Sequence, residues 1–124
     1  METYTGAPMA AESDPRTPFD RLIFVNREVF ASGNYHAAYH TLAAALHEAQ
    51  TREDTEGLFA VQQIAEEQLS LIDRMAPQWE HSTPSAEARG QISRFAMLAH
   101  QAHAHRQLIE TQRRRQGRFP CAHD

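Results

Sequence analysis

Three histidines lie close together in the chain, at His36, His40 and His47. His36 and His40 are four residues apart, so on an α-helix their imidazoles share one face and could bind a single metal ion. His47 would lie roughly 16 Å from His36 along the helix axis and could not join that ion. Zinc needs three or four ligands, and this pair supplies only two. Three interpretations stay open: a solvated helix face, a metal site completed by an oligomer, or a pH-sensitive or partner-binding surface.

A second group of histidines, His100, His103 and His105, occupies the last predicted helix but does not share a face of it. We expect His103, which is near the apolar stripe, to be buried and hydrogen-bonded to a neighbouring helix. The chain contains no Glu-x-x-His motif of the kind that binds di-iron centres in helical bundles.

Motifs that would indicate catalysis are missing from the sequence. Gly33, Gly57 and Gly90 are isolated and form no phosphate-binding loop, and no serine lies in a nucleophile-elbow motif. Cys121 is the single cysteine, which excludes an intrachain disulfide and a cysteine-rich metal site. We therefore expect a protein that is not an enzyme and that carries no cofactor.

Helix start and stop signals divide the first half of the chain. Thr17 is suited to the N-cap of a first helix and Pro18 to its first turn. Gly33 ends that helix, and Asn34 begins a second helix that runs to about Gln50. Apolar residues at helical spacing form one stripe on each helix: Phe19, Leu22, Ile23, Val29 and Phe30 on the first, and Ala38, Leu42, Ala45 and Ala49 on the second.

Two longer helices are predicted in the second half. Thr51, with Asp54 three residues later, predicts the start of the third helix, and Pro77 ends it. Thr83 and Pro84 predict the start of a fourth helix that continues to about Arg115. Their apolar stripes are Leu58, Val61, Ala65, Leu69, Ile72 and Ala76, and then Ile92, Phe95, Ala99, Ala102 and Ile109. These patterns predict an all-α fold, a compact bundle of about four antiparallel helices.

The first two helices resemble a tetratricopeptide repeat over about residues 19–50. The matching residues are Leu22, Val25, Asn26 and Val29, the turn Gly33-Asn34-Tyr35, and Ala38, Leu42 and Ala45. The resemblance implies two antiparallel helices in close contact at their small residues, and a protein-binding role. Gln50 stands where the repeat expects proline, and no second Gly-Asn-Tyr turn follows. A generic four-helix bundle therefore remains the alternative.

Composition and charge limit the protein's predicted location and partners. The 124-residue chain carries a net charge of −4 and has no uninterrupted apolar run long enough for a membrane span. No secretory signal is recognisable, so we expect a cytoplasmic protein. Arginines accumulate near the end of the last helix, but the rest of the domain is acidic, so we do not expect a nucleic-acid partner. We predict a disordered tail over 1–16, a helical domain over 17–116 and a flexible tail over 117–124.

These observations favour a small helical scaffold or adaptor that binds another protein. Phe24 and Tyr39 lie off the apolar stripes of their helices, so each could be exposed to meet a partner or could pack beneath a neighbouring helix. The alternative is a metal- or ligand-binding helical bundle, for example a sensor, that uses His36 and His40. Self-association is a third hypothesis, because the stripes of the two long helices would suit a homodimer.

Overall fold

The computed structural model describes residues 16–118. Its helices are α1 (Pro18–Ala31), α2 (Tyr35–Thr51), α3 (Thr55–Met75), the short α4 (Thr83–Ala88) and α5 (Arg94–Arg118). No strand occurs within this range, so the prediction of an all-α fold is confirmed. None of these helices is long and apolar enough to cross a lipid bilayer. Cys121 and most of both predicted tails lie outside the described residues, although α5 extends through Gly117 and Arg118.

The first two helices begin and end where the sequence predicts. The Thr17 hydroxyl accepts a hydrogen bond from the backbone N–H of Asp20 at 3.1 Å and so caps α1. Gly33 has a φ of +83°, the left-handed conformation that lets the chain leave a helix and that glycine adopts at little cost. The Asn34 side chain then accepts from the N–H of Ala37 and caps α2.

The turn between α2 and α3 differs from the predicted one. Thr51 was expected to cap α3 but belongs to the last turn of α2. Asp54 takes the N-cap position, and its carboxylate accepts from the N–H of Gly57 at 3.0 Å. Glu53, with a φ of +52°, turns the chain between the two helices. A carboxylate satisfies the free N–H groups of a first turn and also interacts favourably with the helix dipole, which explains the choice of Asp54.

The predicted fourth helix is two helices. Gly90, with a φ of +69°, ends α4, and the N–H of Gln91 returns to the carbonyl of Ala86. Ser93 then begins α5, because its hydroxyl accepts from the N–H of Phe95 and its carbonyl accepts from the N–H of Met97. Ile92, assigned above to an apolar stripe, lies in this connection and is 68% exposed.

The core lies between the long helices. α1 packs mainly on α2 and α3 mainly on α5, while α2 also contacts both α3 and α5. The buried apolar residues are Ala38, Leu42, Ala45, Leu46, Ala49, Leu58, Val61, Ile64, Ala65, Ile72, Phe95, Leu98, Ala99, Ala102 and Ile109. The stripes that suggested a homodimer are therefore largely buried within the chain itself.

A pair of buried amides joins α1, α2 and α3. Asn26 is fully buried and donates from Nδ2 to the carbonyl of Ala38 at 2.8 Å, so α1 and α2 lie in close contact there, as the small residues predict. The same Nδ2 donates to Oε1 of Gln68 at 3.2 Å, and Nε2 of Gln68 donates back to Oδ1 of Asn26 at 2.7 Å. Each amide thus satisfies the other away from water.

Candidate functional site

The α2 histidines face outward, away from the buried residues of the same helix. His36, His40 and His47 are all exposed. His40 lies against the ring of Tyr39, with 5.2 Å between the ring centroids. The His36 ring is instead directed toward the connection between α3 and α4, where it meets residues that the sequence analysis did not link to it. The proposed His36–His40 pair is therefore not the main grouping of ligand atoms around His36.

His36 forms a cluster with Glu80 and His81. Its Nε2 lies 3.3 Å from Oε2 of Glu80, and Nε2 of His81 lies 3.6 Å from the same oxygen. The three side chains each offer one ligand atom, and these atoms all lie within 4.8 Å of one another. Two imidazole nitrogens and one carboxylate oxygen are a donor set that divalent transition metals accept. We call these three residues the histidine–glutamate cluster.

Hydrogen bonds hold the connection that carries Glu80 and His81. The N–H of Trp79 donates to the carbonyl of Ala76, and the N–H of Ser82 donates to the carbonyl of Trp79. The N–H of Thr83 donates to Oδ1 of Asp73 at 2.8 Å, which ties the connection to α3. Because its backbone is fixed at both ends, the two ligand-bearing residues have a defined position relative to α2.

Trp79 packs beneath the cluster. Its ring centroid lies 5.1 Å from those of His36 and His81, 5.5 Å from that of Tyr35 and 6.1 Å from that of Phe95. Trp79 is half-buried and packs against the core. The indole therefore forms an apolar support that both imidazoles contact in T-shaped arrangements, with interplanar angles of 69° for His36 and 80° for His81.

The environment of His81 favours its neutral form. Its side chain is 14% exposed, and burial, followed by the positive charge of Arg94, lowers its pKa below the ordinary value, while Glu80 acts in the opposite direction. A neutral imidazole has a free nitrogen lone pair at neutral pH, which is the form that binds metal ions.

The two residues proposed for protein binding have different surroundings. Phe24 is 49% exposed on α1, and the guanidinium of Arg16 lies 4.6 Å from the centre of its ring. Tyr39 is half-buried against the core, with 6.0 Å between its ring centroid and that of Phe95. Arg94 covers the Tyr39 ring at 5.6 Å. Phe24 is therefore accessible to a partner, whereas Tyr39 contributes mainly to packing between α2 and α5.

A groove of about 570 Å³ runs between α3 and α5. Its apolar lining consists of Leu69, Ala96 and Ala99. Polar and charged residues form the remainder: Gln62, Glu66, Ser70, Asp73, Arg74, His100 and His103. We call this depression the α3–α5 groove. The sequence analysis did not predict it, although its α3 residues recur at three- and four-residue spacing beside the buried stripe.

His103 lies in this groove and lacks its predicted hydrogen bond. Its Nδ1 is buried without a hydrogen-bond partner, and so is Oε1 of Gln62 on the facing helix. Gln62 does donate from Nε2 to Glu66 at 3.2 Å. His103 is half-buried rather than buried, so the expectation of a buried histidine that is hydrogen-bonded to a neighbouring helix is not met. The groove contains two polar atoms with unused hydrogen-bonding capacity.

The chain was compared with models of protein families, with curated proteins and with solved structures, and none of the three comparisons produced a match. Its function is therefore argued from its own residues.

Proposed function

We propose that this protein is a non-catalytic protein-interaction module of the cytoplasm, a small helical scaffold or adaptor that binds an amphipathic helix of a partner in the α3–α5 groove. The observation that carries the proposal is the groove itself, a depression between two long helices whose lining includes the apolar residues Leu69, Ala96 and Ala99. Amphipathic helices commonly bind in such grooves and complete the helical packing on the open side.

The dimensions and chemistry of the groove suit a helix. Its lining extends over α3 from Gln62 to Arg74, about 18 Å at the rise of an α-helix. Leu69, Ala96 and Ala99 offer a narrow apolar strip, and two of these three residues are small, which permits close approach of a further helix. Glu66, Asp73 and Arg74 on the α3 side, and two histidines on the α5 side, could pair with the polar edges of the partner.

Exposed apolar residues continue this surface beyond the groove. Ile92 and Met97 are 68% and 48% exposed and line a neighbouring depression with Ala96 and His100, both of which also line the groove. Large apolar side chains that are grouped in this way mark interaction surfaces more often than single exposed ones do. A partner helix in the groove could cover them with one end.

The hairpin of α1 and α2 gives a second argument for an adaptor role. We propose that it is a tetratricopeptide-repeat-like unit, as its residues resemble, which serves here to support the long helices rather than to form a concave array. The apolar ring of Phe24 on its outer face is then a second candidate contact for the partner.

Site-specific photo-crosslinking tests which surface binds. The photoreactive residue p-benzoylphenylalanine would replace Ser70, Met97 or Phe24 in separate full-length variants, each expressed in the source cells and irradiated there. We expect one partner to crosslink at positions 70 and 97. Ala96→Glu, placed in the crosslinking variants, should abolish those products because it introduces a charge into the apolar part of the lining.

The alternative surfaces give distinct results. A product formed only from position 24 would assign binding to α1 and contradict the groove. Crosslinks only between copies of this chain would indicate a homo-oligomer instead of an adaptor. Absence of any product from positions 70 and 97, in cells where the variants are folded and abundant, would also contradict the proposal.

A further inference from the structure

The histidine–glutamate cluster has the form of a metal site. From the positions of His36, Glu80 and His81, we propose that the protein binds one divalent transition-metal ion, with Zn²⁺ as the reference ion, through Nε2 of His36, Oε2 of Glu80 and Nε2 of His81. This site is separate from the α3–α5 groove, with which it shares no residue.

Two of the three distances within the cluster match those between the ligands of a tetrahedral ion. Metal–nitrogen and metal–oxygen bonds of 2.0–2.2 Å place two ligand atoms of a tetrahedral zinc site about 3.4 Å apart. The two distances from Glu80, 3.3 Å to His36 and 3.6 Å to His81, lie on either side of this value. The third pair of atoms lies within 4.8 Å, so a small rotation of the exposed His36 ring would complete the triangle.

An ion can reach the site from solvent, and the surrounding residues hold the ligands in place. The side chains of His36 and Glu80 are 51% and 57% exposed, so an ion can reach them from solvent and keep water at the remaining coordination position. His81 is the most enclosed of the three ligands, and it stands on a connection held by backbone hydrogen bonds. Trp79 limits the movement of both imidazoles from below. A partly fixed set of ligands loses less conformational entropy on binding than a flexible one.

The charges around the cluster favour a transition-metal ion with high affinity for imidazole over Mg²⁺ or Ca²⁺. Glu80 supplies one negative charge, whereas Arg94 and Arg89 are close enough to act electrostatically on His81. Binding therefore depends on coordination by imidazole more than on net charge. Imidazole is a preferred ligand of zinc, copper and nickel, and Mg²⁺ and Ca²⁺ prefer sites of oxygen ligands alone.

Isothermal titration calorimetry with ZnCl₂ tests this proposal on the full-length chain without a polyhistidine tag. We expect saturable binding of one ion per chain. His36→Ala and His81→Ala should each weaken binding by more than about tenfold, since even residues that only support metal ligands contribute 10–100-fold. Mg²⁺ at the same concentrations should give no saturable signal.

His40→Ala is the matched control. His40 lies one turn from His36 on the same helix and is also exposed, but it is not a member of the cluster. This variant should bind zinc as the parent does. Loss of binding in His40→Ala with retention in His81→Ala would show that the helical pair, not the cluster, is the site, and would overturn the proposal.

Trp79, the single tryptophan, provides a second readout. A paramagnetic ion such as Ni²⁺ bound next to its ring should quench its fluorescence with the stoichiometry seen by calorimetry, and Glu80→Gln should shift the quenching to higher Ni²⁺ concentration. Circular dichroism establishes that each variant is folded. The proposal is wrong if zinc shows no saturable binding up to about 100 µM, or if binding is unchanged in both His36→Ala and His81→Ala.

Discussion

At the scale of single residues, the least expected feature is the buried amide pair of Asn26 and Gln68. The spacing of the small residues predicts that Asn26 lets α1 approach α2, and the hydrogen bond to the carbonyl of Ala38 agrees with that position. A polar residue there needs a partner, because an unpaired buried amide costs free energy. Gln68 supplies it from α3, 42 positions further along the chain. The Gln68 side chain therefore links the first hairpin to the rest of the fold.

Asn26→Ala should lower the free energy of unfolding by about 1–3 kcal/mol, because Gln68 is then buried without its partner. Gln68→Ala should have a comparable effect for the same reason. In the double variant the loss should be smaller than the sum of the two, by about 0.5–3 kcal/mol, since neither amide remains to be satisfied. Urea denaturation followed by circular dichroism measures all three values.

Arg27→Ala serves as the control, because Arg27 is next to Asn26 but pairs with Glu67 on the surface, where both side chains are more than half exposed. Its effect should stay within about 0.5 kcal/mol. Strict additivity of the two amide substitutions would contradict the direct coupling of Asn26 and Gln68.

At the scale of the helix, local chemistry determines where each element begins. Thr17 and Asn34 cap their helices as predicted, because each lies directly before an apolar stripe and has a side-chain oxygen that accepts from a backbone N–H of the first turn. Between α2 and α3 the sequence offers two capping residues, Thr51 and Asp54, three positions apart. The pattern alone does not show which of the two residues caps α3, because the last turn of one helix and the first turn of the next both tolerate threonine. The structure assigns the cap to Asp54.

Asp54→Ala should therefore destabilise the protein by about 1 kcal/mol, the usual contribution of an N-cap side chain. Thr51→Ala, which replaces an exposed residue at the end of α2, should change stability by less than about 0.5 kcal/mol. Chemical denaturation of the two variants in parallel measures the difference. A larger loss in Thr51→Ala than in Asp54→Ala would support the cap predicted from the sequence and contradict the one observed.

At the scale of the whole molecule, the sequence predicts the contacts made by residues at regular helical spacing. It does not predict the contacts made by the connections between helices. The all-α class and most of the core follow from helical spacing, since Ala38, Leu42, Leu58 and Val61 are all fully buried as their stripes predict. The break at Gly90 and Ser93 is not predicted, because Ile92 in the connection lies three residues before Phe95 and so extends the apolar spacing of α5 backward. The histidine–glutamate cluster was missed for a different reason. Glu80 and His81 lie in a connection, and no periodicity relates that connection to His36.

The contacts between helices also predict how the molecule unfolds. In an array of repeats each unit contacts only its neighbours, so a hairpin such as α1–α2 can unfold separately. Here Asn26 of α1 is bonded to Gln68 of α3, and Phe95 of α5 packs against Tyr39 of α2 and against Trp79. Because these contacts join elements distant in sequence, we expect one cooperative transition in which helix content and Trp79 fluorescence change together.

Phe95→Ala should shift both signals equally and lower the free energy of unfolding by about 3–5 kcal/mol, because it removes a fully buried ring from the centre of these contacts. Phe24→Ala, which removes a half-exposed ring from α1, should have a much smaller effect. Urea titrations read by circular dichroism and by fluorescence give both midpoints from one sample. If Phe95→Ala moved the fluorescence midpoint but left a separate helical transition in place, the first hairpin would be an independent unit. The repeat-like hairpin would then describe the folding of this protein better than a single bundle does.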